Sequence, residues 1–342
     1  MTAGEPILAL RDLSTVFGDV SAGGSGTVAA DRVSLSLDEQ PPRILNIVGE
    51  SGSGKTTVAR TLLGLSKPST GQALYRGKDI YRLSKDEMRT YRTEVQAVFQ
   101  DPYGIYNPYY KINRVFDMTI KKFKLASSKT EKQALIEEAL QAVSLRPPDV
   151  LGRYPHQLSG GERQRIMLAR AYLLRPKVII ADEPISMLDV AVRATLMNIF
   201  LDFKDQHGMS TIFITHDLSA AYYLGGDIMV MSRGRVVEEG PVDAVMANPV
   251  HPYTQLLLQS IPSPDPDVTW HQLATRPHEA PMGRLTSRDR CLFSERCPSV
   301  MDKCWQSRPP TVRNGPQRAN CFLLSGAPDD ARQPAEAVTS SR

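Results

Sequence analysis

The stretch GESGSGKTT (49–57) limits the possible folds more than any other part of this chain of 342 residues. It has the spacing G-x-x-x-x-G-K-[ST] and follows the apolar run RILNIV (43–48), which reads as a strand buried on both faces. A glycine-rich loop between such a strand and a helix turns its N–H groups inward and adds the positive end of the helix dipole. That geometry receives phosphate. Gly49, Gly52 and Gly54 let the loop turn, with Ser51, Ser53 and Thr57 as further contacts. Lys55 is placed to reach the outer phosphates of a nucleotide, and Thr56 to offer its hydroxyl to Mg²⁺. A merely flexible Gly/Ser connector would not need strand, lysine and threonine in register.

Two further apolar runs end in groups that fit the same chemistry. KVIIADEP (177–184) closes on Asp182, able to hold Mg²⁺ through water, and Glu183, able to orient an attacking water and accept its proton. STIFITHD (210–217) places His216 at a strand tip, where a neutral imidazole can bond the γ-phosphate and that water. Alone, the two acids would be a solvated strand end and the histidine a structural one. Beside a phosphate loop they read as one site. The three runs, each followed by loop or helix signals, predict a parallel sheet in an α/β domain.

Composition narrows what surrounds that site. A net charge of +4 is small for this length and argues against a nucleic-acid partner. No apolar run approaches the roughly 20 residues that cross a bilayer. MTAGEPILALRDLS, at the start, has neither the basic nor the apolar part of a signal peptide. A cytosolic setting with reduced thiols is the expectation. TEKQALIEEALQAV (130–143) predicts an amphipathic helix with Ile136, Leu140 and Val143 on one face and a capping box of Thr130 and Gln133. DIMVMSRGRVVEEG (227–240) predicts a hairpin turning at Arg233-Gly234. Past Asn248 prolines multiply, and SGAPDDARQPAEAVTSSR (325–342) is expected to be disordered.

LSGGERQR (158–165) sets this chain apart from phosphate-loop ATPases in general. Ser159-Gly160-Gly161 open a helix, a second anion-binding helix start, so each site is expected to be completed by a second protomer. With it, the phosphate loop, Gln100 in VFQDP, IIADEP, SMLD (186–189) and His216 follow one another in an order that resembles the nucleotide-binding subunits of ABC transporters, over about residues 5–245. The resemblance implies a RecA-like phosphate-loop ATPase core with an antiparallel β subdomain and an inserted helical subdomain near 101–165. It also implies two subunits, identical or different, closing head-to-tail around two ATP molecules, with Ser159, Gly160, Gly161 and Glu162 of one against the loop of the other. Gln100 would sense the γ-phosphate and Mg²⁺, Asp189 would connect the two sites, and Phe17 would stack on adenine unless it is a core aromatic. Glu162 stands where glutamine is commoner, and Ile185 and Met187 where threonine and alanine are usual. None of these departures removes a catalytic group.

NPVHPYTQLLLQSIP (248–262) resembles the C-terminal part of the oligopeptide/dipeptide/nickel importer subfamily. Read directly, Pro249 and Pro252 interrupt helix formation before YTQLLLQSI packs as a short helix. The subfamily implies peptide cargo, with oligosaccharides or nickel as alternatives. It also implies two transmembrane permease subunits, an extracytoplasmic solute-binding protein, and a place on the cytoplasmic face of a bacterial plasma membrane. A soluble ATP-binding regulator with a redox-sensing module is the competing reading.

All four cysteines, Cys291, Cys297, Cys304 and Cys321, lie in this small extension (249–324), spaced C-x5-C-x6-C-x16-C. Four reduced thiolates suit an iron–sulfur cluster or zinc, and the spacing names neither. The subfamily resemblance points to [4Fe–4S]. A proline-rich segment with little apolar periodicity buries little core, which such a centre could offset.

Overall fold

The apolar runs form the middle of a parallel sheet. In the computed structural model, which describes residues 5–18, 26–261 and 288–325, β3 (Ile44–Val48), β6 (Val95–Val98), β7 (Val178–Asp182), β8 (Ser210–Thr215) and β9 (Asp227–Ser232) run parallel in the order β9-β3-β8-β7-β6. Successive residues point to opposite faces, and both faces are covered. Ile44, Ile179, Ala181 and Phe213 join one apolar cluster, whereas Leu45, Ile47, Ile180, Ile212 and Ile214 join another. The isoleucine, leucine and phenylalanine side chains among them each contribute about 2 kcal/mol when fully buried. The turn Arg233-Gly234, with positive φ at both residues (47° and 87°), reverses the chain into β10 (Arg235–Pro241) antiparallel to β9, the expected hairpin.

Over one face lies the antiparallel subdomain. Its strands β1 (Leu8–Phe17), β2 (Thr27–Leu37), β4 (Thr70–Tyr75) and β5 (Lys78–Asp79) are ordered β2-β1-β4-β5. Helix α1 (Lys55–Leu62) and Tyr91 of α2 (Lys85–Glu94) pack into the cluster between this sheet and the parallel one. The other face carries α3 (Asn113–Phe123), α4 (Lys129–Gln141), α5 (Pro147–Val150), α6 (Gly160–Tyr172) and α7 (Val190–Asp205), followed by α8 (Leu218–Leu224). Helix α4 buries Ile136 and Leu140 as its periodicity predicts, and Val143 is buried in the turn just past its end. Its cap differs from the expected Thr130 and Gln133: Ser128 accepts from the Glu131 amide at 3.1 Å, and Glu131 reaches back to the Ser127 amide. Capping at Ser128 puts Glu131 at the third helical position, where its carboxylate also accepts from the Ser127 amide and lies beside the helix's free N–H groups.

The C-terminal extension is built onto the edge of the parallel sheet. After α9 (Val242–Ala247) and α10 (Pro252–Gln259), α11 (Asp302–Gln306) leads into the hairpin β11 (Thr311–Asn314) and β12 (Gln317–Asn320). Strand β12 pairs with β10 at Glu238↔Ala319 and Glu239↔Arg318. The break between α9 and α10 falls at the expected prolines, and Pro252 is itself the first residue of α10, where its missing N–H costs nothing. The expected disordered tail lies, apart from Ser325, outside the described residues.

Two buried polar groups tie this extension to the core. Glu238, with no exposure, accepts from the Val250 and His251 amides at 2.9 and 3.0 Å. His251 caps α10 by accepting the Tyr253 amide on Nδ1 at 3.0 Å. Burial holds its imidazole down at about 4 against an ordinary 6.5. The unfolded ring takes up its proton at a higher pH than the folded one. The stability it contributes is therefore complete above pH 6.5 and lost as pH falls toward 4. Between pH 7 and 5 this amounts to about 2 kcal/mol. Hydrogen exchange of the α10 amides, corrected for the intrinsic pH dependence of exchange, should show that loss in the wild type. His251→Asn, which keeps a capping acceptor, should flatten it.

Candidate nucleotide site

The loop 49–54 joins β3 to α1, and two of its glycines are dictated by close approach of other backbone. A Cβ on Gly54 (φ 101°) would lie 2.1 Å from the Ala29 carbonyl oxygen, and one on Gly49 (φ 152°) equally close to that of Met231. Behind the loop, Lys55 is 4% exposed. Its ammonium donates to the carbonyls of Gly49 (2.8 Å) and Glu50 (2.9 Å) and to Ser53 Oγ (3.4 Å). Burial pulls its pKa below the lysine range, while the charges of Glu183, Asp182 and Glu50 pull the other way.

The other candidate groups stand at the C-terminal ends of β6, β7 and β8, where open α/β sheets bind ligands. Thr56 Oγ1 donates to Asp182 Oδ1 at 3.2 Å. Burial pushes the Asp182 carboxyl up, opposed by the Thr56 hydrogen bond and reinforced by the charge of Glu183. Glu183 adopts a left-handed backbone (φ 46°), held by donation of its N–H to the Ile214 carbonyl at 2.9 Å. Its two carboxylate oxygens meet Gln100 Nε2 (3.2 Å) and His216 Nδ1 (3.2 Å). Gln100 also reaches Ser186 Oγ at 3.3 Å. Ser186 was legible only as part of SMLD, and nothing in the sequence singled out its hydroxyl. Six residues predicted separately thus gather at one place: Thr56 bonds Asp182, Glu183 bonds Gln100 and His216, and Lys55 feels both acids through charge.

Others stand apart. Ser159 caps α6 by accepting from the Glu162 amide (3.2 Å), and Glu162 Oε2 accepts from the Ser159 amide (2.8 Å) and hydroxyl (2.9 Å). This reciprocal box gives the glutamate a local role in place of the commoner glutamine. Among the described residues no hydrogen bond or ion pair joins Ser159–Glu162 to the phosphate loop. Asp189, exposed at the start of α7, makes no side-chain cap. Phe17 is 50% exposed at the end of β1 and is not a core aromatic.

Cys291, Cys297, Cys304 and Cys321 are free thiols that line one cavity of about 10 Å³. Burial pushes the thiols of Cys291, Cys297 and Cys321 up to about 11. Among the described residues no three His, Cys, Asp or Glu side chains stand in a metal-holding arrangement.

The sheet and its strand-end network define an ATP-binding cassette ATPase. A family model described as "ABC transporter" matches residues 31–186, and one described as "Oligopeptide/dipeptide transporter, C-terminal region" matches 237–304. The di/tripeptide transport ATP-binding protein DppF of Pseudomonas aeruginosa is 38% identical over 317 residues, covering 92% of this chain and 96% of that one. The oligopeptide transport ATP-binding protein OppF of Salmonella typhimurium is 37% identical over 281 residues, 82% and 83% of the two chains. Among solved structures, the ATP-binding cassette MJ0796, a dimer in a post-hydrolysis state with ADP and Pi, superposes with a TM-score of 0.60 at 26% identity, covering 69% of this chain and 98% of that one. The chain belongs to the ABC transporter ATP-binding proteins, in their oligopeptide/dipeptide branch.

The loop geometry separates two kinds of glycine. Gly52 has a positive φ (78°) but open space around the position of a Cβ. Gly52→Ala should cost the apoprotein only the left-handed strain, about 1–2 kcal/mol. Gly54→Ala adds a collision with backbone and should lower stability by more, on the order of 3 kcal/mol or beyond. Thermal unfolding of the two variants without nucleotide checks the order.

Proposed function

We propose that this ATPase powers uptake of peptides through two membrane-embedded permease subunits, working as one of a pair of cassettes on the cytoplasmic face of a bacterial plasma membrane. The observation that carries the site reading is the Glu183 carboxylate held between Gln100 and His216, directly beside the Thr56–Asp182 pair. ATP lies on the phosphate loop, with Lys55 turned from its own carbonyls to the outer phosphates and the amides of Ser51 to Thr57 around them. Thr56, Gln100 and Asp182 are the oxygen donors that fit Mg²⁺, which supplies charge neutralisation on the phosphates. Glu183 accepts a proton from water as that oxygen bonds to the γ-phosphorus and the bond to ADP breaks; His216 holds the water and γ-phosphate. The partner cassette's signature helix start closes the site, with Asp189 at the seam. The exposed Met187 and Val190 flank Asp189, as an interface would require. Phe17 offers adenine an open ring face.

The peptide cargo rests on the C-terminal module and on the relatives' own cargo. No described helix is long and apolar enough to cross a membrane. A groove of about 1220 Å³ over α3, walled by Tyr109, Tyr110, Arg114, Met118 and Tyr154, faces outward from the helical insertion that begins after Gln100. It is the proposed seat for a permease segment. Glu183→Gln should lower ATP turnover by at least about 10²-fold and leave ATP trapped in a closed pair. Turnover near the wild-type rate, measured as phosphate release with the permeases present, contradicts the assignment.

The four cysteines are a ligand set in kind and number. A [4Fe–4S] cluster is the leading assignment from the resemblance. Zinc, for which four thiolates are a usual complement, is the alternative. Either would take the thiols as thiolates and so reverse the upward push of burial. Anaerobically purified protein should contain iron and labile sulfide with broad visible absorbance, or else zinc, in each case lost in Cys297→Ser. Protein with neither, from metal-replete cells, removes the assignment.

A further inference from the structure

We infer that Tyr253 and Arg296, both in the C-terminal extension, are positioning residues for the phosphate loop, so that the extension sets the affinity of the site for ATP. The inference rests on the reading of residues 49–57 as the ATP-binding loop.

The contacts converge on Glu50, the residue whose carbonyl also holds Lys55. The Glu50 amide donates to the Tyr253 hydroxyl at 3.1 Å, and its carboxylate meets Arg296 Nη1 at 3.2 and 3.3 Å. Tyr253 has no exposure and packs edge-on against Phe293, with ring centroids 5.4 Å apart. The same Phe293 lies 5.9 Å from the Arg296 guanidinium. A second path reaches the loop from the hairpin turn: Gly234 donates its amide to the Ser53 carbonyl at 2.9 Å, and neighbouring Arg233 donates to the Leu292 carbonyl at 2.9 Å and pairs with Glu295 at 3.1 Å. Residues 292–296 therefore reach the loop directly at Glu50, through Arg296, and indirectly at Ser53, through Arg233 and Gly234.

Magnitudes separate positioning from plain stabilisation. Glu50 and Arg296 side chains are 44% and 37% exposed, and such a pair adds little to folding. A hydrogen bond that served only the fold would weaken apoprotein and ATP complex alike and leave the affinity unchanged. Glu50, however, touches the lysine that must turn from its carbonyl to the phosphates. A shift of the 49–50 peptide moves that lysine's resting place, and this is felt in ATP binding.

The test uses the full-length chain, with ATP affinity measured by competition against a fluorescent ATP analogue, and KM and kcat by phosphate release with the permeases present. Tyr253→Phe, which removes only the hydroxyl, should raise the ATP Kd and KM about fivefold with kcat within about twofold of wild type. Arg296→Ala should act in the same direction, Arg296→Lys should retain most of the affinity, and Glu50→Arg combined with Arg296→Glu should recover it. Kd values within about twofold of wild type in both Tyr253→Phe and Arg296→Ala overturn the inference, as does a rise that neither the lysine nor the charge exchange rescues. If Tyr253→Phe fails to fold, the Arg296 and Glu50 series decides. A wild type that binds no ATP overturns the reading of the loop, and this inference with it.

Discussion

A cation buried behind a loop of backbone is the constraint on which the rest of the site depends. Taking the Lys55 ammonium out of water costs several kcal/mol unless close partners replace its hydration. Two carbonyls and a hydroxyl do so at short range, and Glu183, Asp182 and Glu50 act through charge. That set of partners exists only when β3, β7 and the loop are in register. Glu183 must take a left-handed backbone to bring its carboxylate to Gln100 and His216, and the Ile214 carbonyl holds it there. Phosphate oxygens can replace the loop carbonyls around Lys55 without a new charge being buried unpaired.

The same loop is where three parts of the chain meet. The antiparallel subdomain supplies the Ala29 carbonyl against Gly54, the β9–β10 turn supplies the Gly234 amide to Ser53, and the extension supplies Tyr253 and Arg296 to Glu50. A loop rich in glycine has the most conformational freedom to lose. Fixing it from three sides before nucleotide arrives lowers the ordering cost at binding. The extension is thus continuous with the ATPase in two senses, through β12 on β10 and through contacts to the loop.

Legibility differed between kinds of feature. Strands with both faces buried declare themselves as apolar runs, and β3, β7 and β8 fell within a residue or two of their expected limits. The Arg233-Gly234 hairpin and the buried face of α4 were equally plain, because turn chemistry and helical periodicity are local. The cap of α4 was misplaced by two positions, since Ser127, Ser128 and Thr130 all offer a capping hydroxyl and only the packed helix selects among them. Strands β11 and β12 went unread. Their runs TVRN and QRAN are short and polar on one side, and they exist because β10 presents an unpaired edge.

The residue types and spacings of the phosphate loop, the strand-end acids and the signature were determined by the sequence alone, because phosphate and metal chemistry demand those groups at those intervals along a strand, loop and helix. What the sequence did not contain was who meets whom across long separations. That Gln100 and His216 share one carboxylate, and that Tyr253 and Arg296 reach a loop some two hundred residues away (separations of 203 and 246), depended on the packed sheet. Such contacts arise from the addition of strands and the covering of faces. Their cause lies in the surface each element leaves exposed, and no local pattern records it.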